Sequence, residues 1–474
     1  MLFIFLLGIA AFIVSFGITP LVRNVFLKMG VVDVPDERKV HRNNIPRVGG
    51  IAIFVAYAIV YAASALVPAA GNRLFEQPFE AKWWLLGAVA VVFATGLLDD
   101  LLTLRPKHKL LGQVLAAVLV WSSGIEIHLF HNMPFGHILS LPLTIFWLVG
   151  CSNAFNLIDG LDGLATGAAL FATLTMTAAA MLTHNYSLAL VTVPLAGCLL
   201  AFLCFNFNPA SIFLGDCGSL TIGFLLGCFG MIWSEKITTF VGLAAPVMAV
   251  SLPLLDTSIA IVRRFLRNRP IFSPDRGHIH HRLLDRGNSV RKTALTLYGV
   301  CAVAAALSLL QQSFEGEFGS LAIVLFAILM CFGIQYLGYV EFRVAGRLLS
   351  KRVMFGIVDS EIKMQQLEAQ LATTTEEAAA FGLIRKTCTD LGVETVFLAG
   401  HRDELIEILL ASSESQINLP INANRTLVLH GLPQDRPLPV ERLSSILRKH
   451  FQSGRTAKPA PAFHYRPQEI ARAS

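Results

Sequence analysis

The stretch Met1–Val22, MLFIFLLGIAAFIVSFGITPLV, decides the fold: it carries no charged side chain over 22 residues. A bilayer core about 30 Å thick takes roughly 20 mostly apolar residues per helix, so the stretch reads as a transmembrane helix. It lacks a basic start and has no small-residue cleavage site before Arg23, so we read it as a retained span. Working outward, ten more segments of this kind follow at 48–69, 83–101, 109–123, 137–153, 164–182, 187–205, 217–234, 239–257, 294–310 and 321–340. The expectation is an all-α polytopic membrane protein with about 11 transmembrane helices. Composition agrees. Of 474 residues, 54% are hydrophobic and only 15% charged, against about 25% charged in soluble proteins. Mean hydropathy is +0.61. Disordered and simple soluble classes are thereby excluded.

Charge sets the expected orientation. The net charge is +6. Loops after odd-numbered spans hold eighteen Lys and Arg residues, and the opposite loops hold three: Arg73, Lys82 and Lys236. The positive-inside rule puts the richer side in the cytosol, with the N-terminus outside and the C-terminus inside. Basic residues between Arg263 and Arg269 read as topology determinants and lipid-headgroup contacts. Nothing points to nucleic acid. The eight cysteines show no paired spacing for zinc or a disulfide framework.

The chain divides by composition into a membrane core at 1–340, a juxtamembrane linker at 341–358, a small cytosolic α/β domain at 359–454 and a disordered tail at 455–474. In the third part, 359–380 and 401–413 read as helices, 394–400 and 425–431 as strands, and 439–453 as a helix. It bears no catalytic signature.

Polar residues of the core gather on the basic side. They lie in GLLDDLLTLRPKHK (96–109), NAFNLIDGLDGLATG (153–167), FNFNPASIFLGDCGS (205–219) and SPDRGHIHHRLLDRG (273–287). Each alone has a plain explanation: Asp99 and Asp100 as surface acids, Asn156, Asp159 and Asp162 as a capping turn, Asp216 as an N-cap. Zinc at His278, His280 and His281 lacks a cysteine partner. Together the carboxylates repel unless a cation or a shared proton intervenes. Hard oxygen donors suit magnesium, with manganese as an alternative, and magnesium favours sites that also hold phosphate. Neighbouring Arg and His suit a diphosphate.

These four motifs, with the first loop DVPDERKVHRNNIPRVGG (33–50), resemble the polyprenyl-phosphate N-acetylhexosamine-1-phosphate transferases over residues 1–340. The histidine loop, interrupted by Ile279, is similar to the branch that starts O-antigen, enterobacterial common antigen and teichoic-acid linkage synthesis. The resemblance implies a bacterial inner-membrane enzyme with a cytosolic active site. It would transfer N-acetylhexosamine-1-phosphate, with GlcNAc the favoured sugar, from a UDP-N-acetylhexosamine to undecaprenyl phosphate, releasing UMP. It implies Asp216 and Asn156 as metal ligands. Asp99, Asp100, Asp159, Asp162 and His280 would be catalytic, and Lys39, Asn156, Phe213, His278, His281 and Arg282 would bind substrate. A homodimer is compatible with the sequence. The competing class is a transporter or flippase for a lipid-linked or anionic solute. Such a protein would place its polar groups near mid-bilayer, often with repeated halves.

Overall fold

The computed structural model describes residues 2–33, 44–65, 79–128, 135–234, 240–267, 269–270, 277–313, 317–339, 351–399, 416–422, 425–430 and 439–452. These form two compact units, 1–262 with 271–337, and 263–270 with 338–474.

The first unit is a helical bundle. Its helices are α1 (Leu2–Met29), α2 (Gly49–Ala65), α3 (Phe79–Leu102), α4 (Pro106–Ser122), α5 (Gly136–Ile158), α6 (Leu164–Leu182), α7 (Tyr186–Asn206), α8 (Gly215–Trp233), α9 (Phe240–Ala249), α10 (Ser251–Leu266), α11 (Ile279–Asp285), α12 (Val290–Ser313) and α13 (Glu317–Leu337). Short strands β1 (Val32–Asp33) and β2 (Ile45–Pro46) pair antiparallel ahead of α2. Among the described residues, eight helices are long and apolar enough to cross a membrane, nine if the broken pair 243–249 and 251–266, bent by 85°, counts as one span. This is a polytopic membrane protein; among the described residues the expected count of eleven spans is not reached. Of the expected spans, α2 and α4 are each described over 17 residues.

Helix α8 is the axis. In its most apolar window 94% of residues are buried, against 11% for α13 at the rim. Lipid offers no hydrophobic drive between helices, so close backbone packing over small residues holds such bundles together. The α8 sequence GDCGSLTIGFLLGCFG supplies them. A Cβ on Gly50 of α2 would lie 2.2 Å from the Gly218 nitrogen, and one on Gly223 would lie 2.6 Å from the Cys151 carbonyl of α5. Glycine seams thus fix α2, α5 and α8 side by side. The ends that meet are the N-termini of α2, α4 and α8 and the C-termini of α3 and α5. On the same end, Tyr298 of α12 donates its hydroxyl to the Gly163 carbonyl at 2.6 Å.

The second unit contains α14 (Lys351–Thr373), α15 (Glu377–Asp390), α16 (Val440–Gln452) and the antiparallel strands β3 (Thr395–Ala399), β4 (Gln416–Asn422) and β5 (Arg425–His430), in the order β3–β5–β4. Met364, Leu367, Ile384, Leu427, Leu429 and Leu443 lie in its core. Arg442 pairs with Glu361, and Lys449 with Glu368 at 2.9 Å. The sequence reading missed α15 and β4, and its helix at 401–413 lies outside the described residues. Arg263 is 1% exposed, its guanidinium 5.5 Å from the centre of the Tyr339 ring. Arg264 is buried as well. Neither is the headgroup contact that the sequence suggested.

Candidate active site

At the end of α3 the chain places two adjacent acids with different work. Asp100 accepts from the backbone N–H groups of Asp216 (2.8 Å) and Cys217 (2.9 Å). It therefore caps the positive N-terminus of α8 from a neighbouring helix. Asp99 turns back: its Oδ1 accepts from the Leu104 N–H at 2.7 Å, and its Oδ2 meets Lys109 Nζ at 2.6 Å. Lys109 lies one turn into α4 and also meets Asp216 Oδ2 at 2.7 Å. Asp216 Oδ1 meets Arg47 at 2.7 Å, and Arg47 lies 3.8 Å from Asp100.

Three carboxylates are thus interleaved with two bases. The attraction within these pairs offsets the repulsion among the acids, more at half-buried Lys109 than at Arg47, whose exposed side chain water screens. Sequence reasoning had counted Arg47 and Lys109 only for topology. The signal was their adjacency to the GG and DD motifs. Gly215, with φ +75°, makes the close approach possible: a Cβ there would lie 2.3 Å from the Arg47 carbonyl and 2.8 Å from the Asp100 carboxylate.

The α5–α6 turn completes this wall. Asn156 donates to Ser219 Oγ at 2.9 Å, one turn beyond Asp216 on α8. Asp159 follows α5. Burial holds its carboxyl well above the usual range, while Arg47 pulls it down and Asp216 and Asp100 push it up. Asp162 has a supporting role: its Oδ2 accepts from Asn208 Nδ2 (2.8 Å) and the Ala210 N–H (3.0 Å), tying down the loop that leads to Asp216. Phe213, half-buried, lies in that loop. Its N–H donates to the Pro46 carbonyl and its carbonyl accepts from the Gly49 N–H, both at 2.9 Å.

The histidine loop approaches from α11. His280 is 2% exposed and neither ring nitrogen has a hydrogen-bond partner. Burial pushes its ring down to about 4, so it is neutral at pH 7. Its Nε2 lies 2.9 Å from where a Cβ of Gly160 would stand, so that glycine makes room for the ring beside Asp159. His281 packs on His280 at 4.3 Å between ring centres, and His278 stacks on it at 5.8 Å and 9°. Arg282, expected at the substrate, donates to the Leu337 carbonyl at 3.0 Å, at the end of α13. Lys39 lies outside the described residues. The sequence reading also missed Asp256 of α10, which meets His278 Nδ1 at 3.1 Å.

The carboxylate wall and the histidine loop therefore share one end of the bundle. A family model described as glycosyl transferase family 4 matches residues 82–234, which hold the Asp99–Asp100, Asn156–Asp162 and Asp216 motifs. A Bacillus subtilis protein named probable undecaprenyl-phosphate N-acetylglucosaminyl 1-phosphate transferase is 36% identical over 301 residues, 61% of this chain and 81% of its own length. The chain belongs to the polyprenyl-phosphate N-acetylhexosamine-1-phosphate transferases. Within that family, a decaprenyl-phosphate N-acetylglucosaminephosphotransferase of Mycobacterium tuberculosis is 34% identical over 64% of this chain and 82% of its own. An undecaprenyl-phosphate alpha-N-acetylglucosaminyl 1-phosphate transferase of Thermotoga maritima is 30% identical, over 67% and 92%. A third or more of this chain, up to 39%, lies outside each of these matches.

Proposed function

We propose that this protein transfers GlcNAc-1-phosphate from UDP-GlcNAc to undecaprenyl phosphate, giving UMP and a lipid-diphosphate-sugar that starts a cell-envelope polysaccharide. One observation carries the reading. The family's acids Asp99 and Asp100 of α3 and Asp216 of α8 meet at one end of the bundle, interleaved with Arg47 and Lys109. A transporter would be expected to hold such groups midway along its helices, so that alternative is not favoured. By the basic-loop asymmetry, this end faces the cytosol at the bacterial inner membrane.

In the reaction, an oxygen of the lipid phosphate attacks the β-phosphorus of the nucleotide-sugar. The bond from that phosphorus to the bridging oxygen of UMP breaks, and UMP leaves with the electron pair. The lipid phosphate is already largely ionised at pH 7, so no general base is required. Asp99 serves instead by aiming Lys109, with which it pairs at 2.6 Å. Lys109 and Arg47 supply positive charge where two anionic substrates must approach, and Arg47, 53% exposed, is the more accessible of the two. His280, neutral, offers ring nitrogens that have no protein partner.

Among the described residues, no three His, Cys, Asp or Glu side chains form a metal cage. Magnesium is commonly held by one or two carboxylates together with substrate phosphates. The hard oxygens of Asp216 and Asn156 fit that pattern, and these residues would hold the ion. Bound there, it would screen the diphosphate and stabilise the departing phosphate. The test is incubation of purified protein with labelled UDP-GlcNAc, undecaprenyl phosphate and magnesium. UMP and a labelled lipid are expected; their absence would refute the assignment. A panel of other UDP-N-acetylhexosamines tests the sugar.

A further inference from the structure

Asp256 is a buried acid to which the reaction described above gives no part. It sits on α10, just past the 85° bend, in the apolar run SLPLLDTSIAIV, and is 1% exposed. A bare carboxylate in such a place is costly unless it is hydrogen-bonded. Two groups satisfy it, and both belong to the start of α11. Oδ2 lies 3.1 Å from His278 Nδ1, and Oδ1 accepts from the Ile279 N–H at 2.9 Å. The second contact alone would make Asp256 a helix cap. The first does more. A carboxylate oxygen at this distance is the acceptor, so the contact selects the His278 tautomer with a proton on Nδ1 and leaves Nε2 as the ring nitrogen turned away from Asp256. The His278 ring in turn lies parallel to that of His280, whose Nε2 faces Gly160 beside Asp159.

We propose that Asp256 is a positioning residue of the transferase: it fixes the tautomer and orientation of His278, and through them the face that the histidine loop presents to the diphosphate of the nucleotide-sugar. This rests on the transferase reading. The 85° break then has a purpose beyond shape, since it is just past this break that the chain offers a carboxylate to a loop lying outside the apolar run.

The test uses the full-length protein in detergent, assayed with UDP-GlcNAc, undecaprenyl phosphate and magnesium. Asp256→Asn should lower kcat about 30-fold or more while KM for the nucleotide-sugar stays within about threefold, and Asp256→Glu should recover part of the loss. In a His278→Gln background, Asp256→Asn should cost less than about threefold, because residues acting as a unit are not additive. Selective 15N-histidine NMR, with His278 assigned by its loss in His278→Gln, should show the Nδ1–H form in the wild type.

Losses that multiply in the double variant would reduce Asp256 to a helix cap and overturn the proposal. If Asp256→Asn does not fold, an Nε2–H form of His278 in the wild type overturns it without that variant. A wild type that makes neither UMP nor labelled lipid refutes the transferase reading itself, whereas an active wild type with multiplying losses refutes only the role of Asp256.

Discussion

The two walls of the site are built on opposite electrostatic principles. Where α3, α4 and α8 meet, Asp99, Asp100 and Asp216 stand within 4 Å of Lys109 or Arg47, and nearly every polar atom has a charged or backbone partner. In the histidine loop, His280 is neutral, buried and unpartnered. The first wall is held by opposite charges. The second is held by packing and by Asp256 at its start, and His280 keeps hydrogen-bonding capacity in reserve. Anionic substrates meet less repulsion at the first than three bare acids would give, because Arg47 and Lys109 already offset part of that charge. The second gains energy only when a ligand supplies the missing partner.

Four substitutions sharpen that contrast. The largest effect is expected at Asp216, which both bases contact. Asp216→Asn should cut the transfer rate by about 10³ or more, the scale of losing a central charge-stabilising group, while the protein stays monodisperse in detergent. Turnover close to normal would remove Asp216 from the metal assignment. Lys109→Met comes next. It leaves Asp99 without its base and Asp216 with Arg47 alone, so activity should fall about 10²-fold and stability by about 3 kcal/mol, the lower end for breaking a buried pair. A thermal melt and the transfer assay read the two effects.

On the histidine side the effects should be smaller and should respond to pH. In the folded state His280 titrates at about 4, and unfolded at about 6.5. Between those values the unfolded chain binds a proton that the folded one refuses, so this residue's effect on stability worsens as pH falls from about 6.5 to about 4. His280→Gln should flatten the melting temperature across that window relative to wild type, and an unchanged slope would contradict the burial argument. The smallest effect is expected at Arg282, which serves the end of α13. Arg282→Ala should change KM for UDP-GlcNAc less than about threefold, measured by UMP release.

Much of this was legible in the sequence, for physical reasons. Long apolar runs announce spans because lipid demands them, and α1, α6, α7 and α8 stand close to where hydropathy put them. The five acids could be gathered at one end because topology follows from Lys and Arg. Three things stayed hidden. Arg47 and Lys109 looked like orientation signals, and only the fold shows that each faces Asp216. Asp256 lay inside an apolar segment, and only the fold shows that it meets the start of α11. In the second unit, β4 runs through QINLPIN, where Pro and Asn mask the strand pattern that its pairing with β5 restores.

The glycine seam along α8 has an engineering consequence. Replacing a helical glycine with alanine ordinarily gains about 0.5–1 kcal/mol by limiting the unfolded chain. At Gly50 and Gly223 the new methyl group would strike the backbone of a neighbouring helix at less than 3 Å, and at Gly218 it would strike the Leu214 side chain at 2.4 Å, so thermostabilising campaigns should leave them alone. Gly87, Gly150, Gly299 and Gly333 meet nothing within 4 Å and are the natural places to begin hardening this molecule for purification.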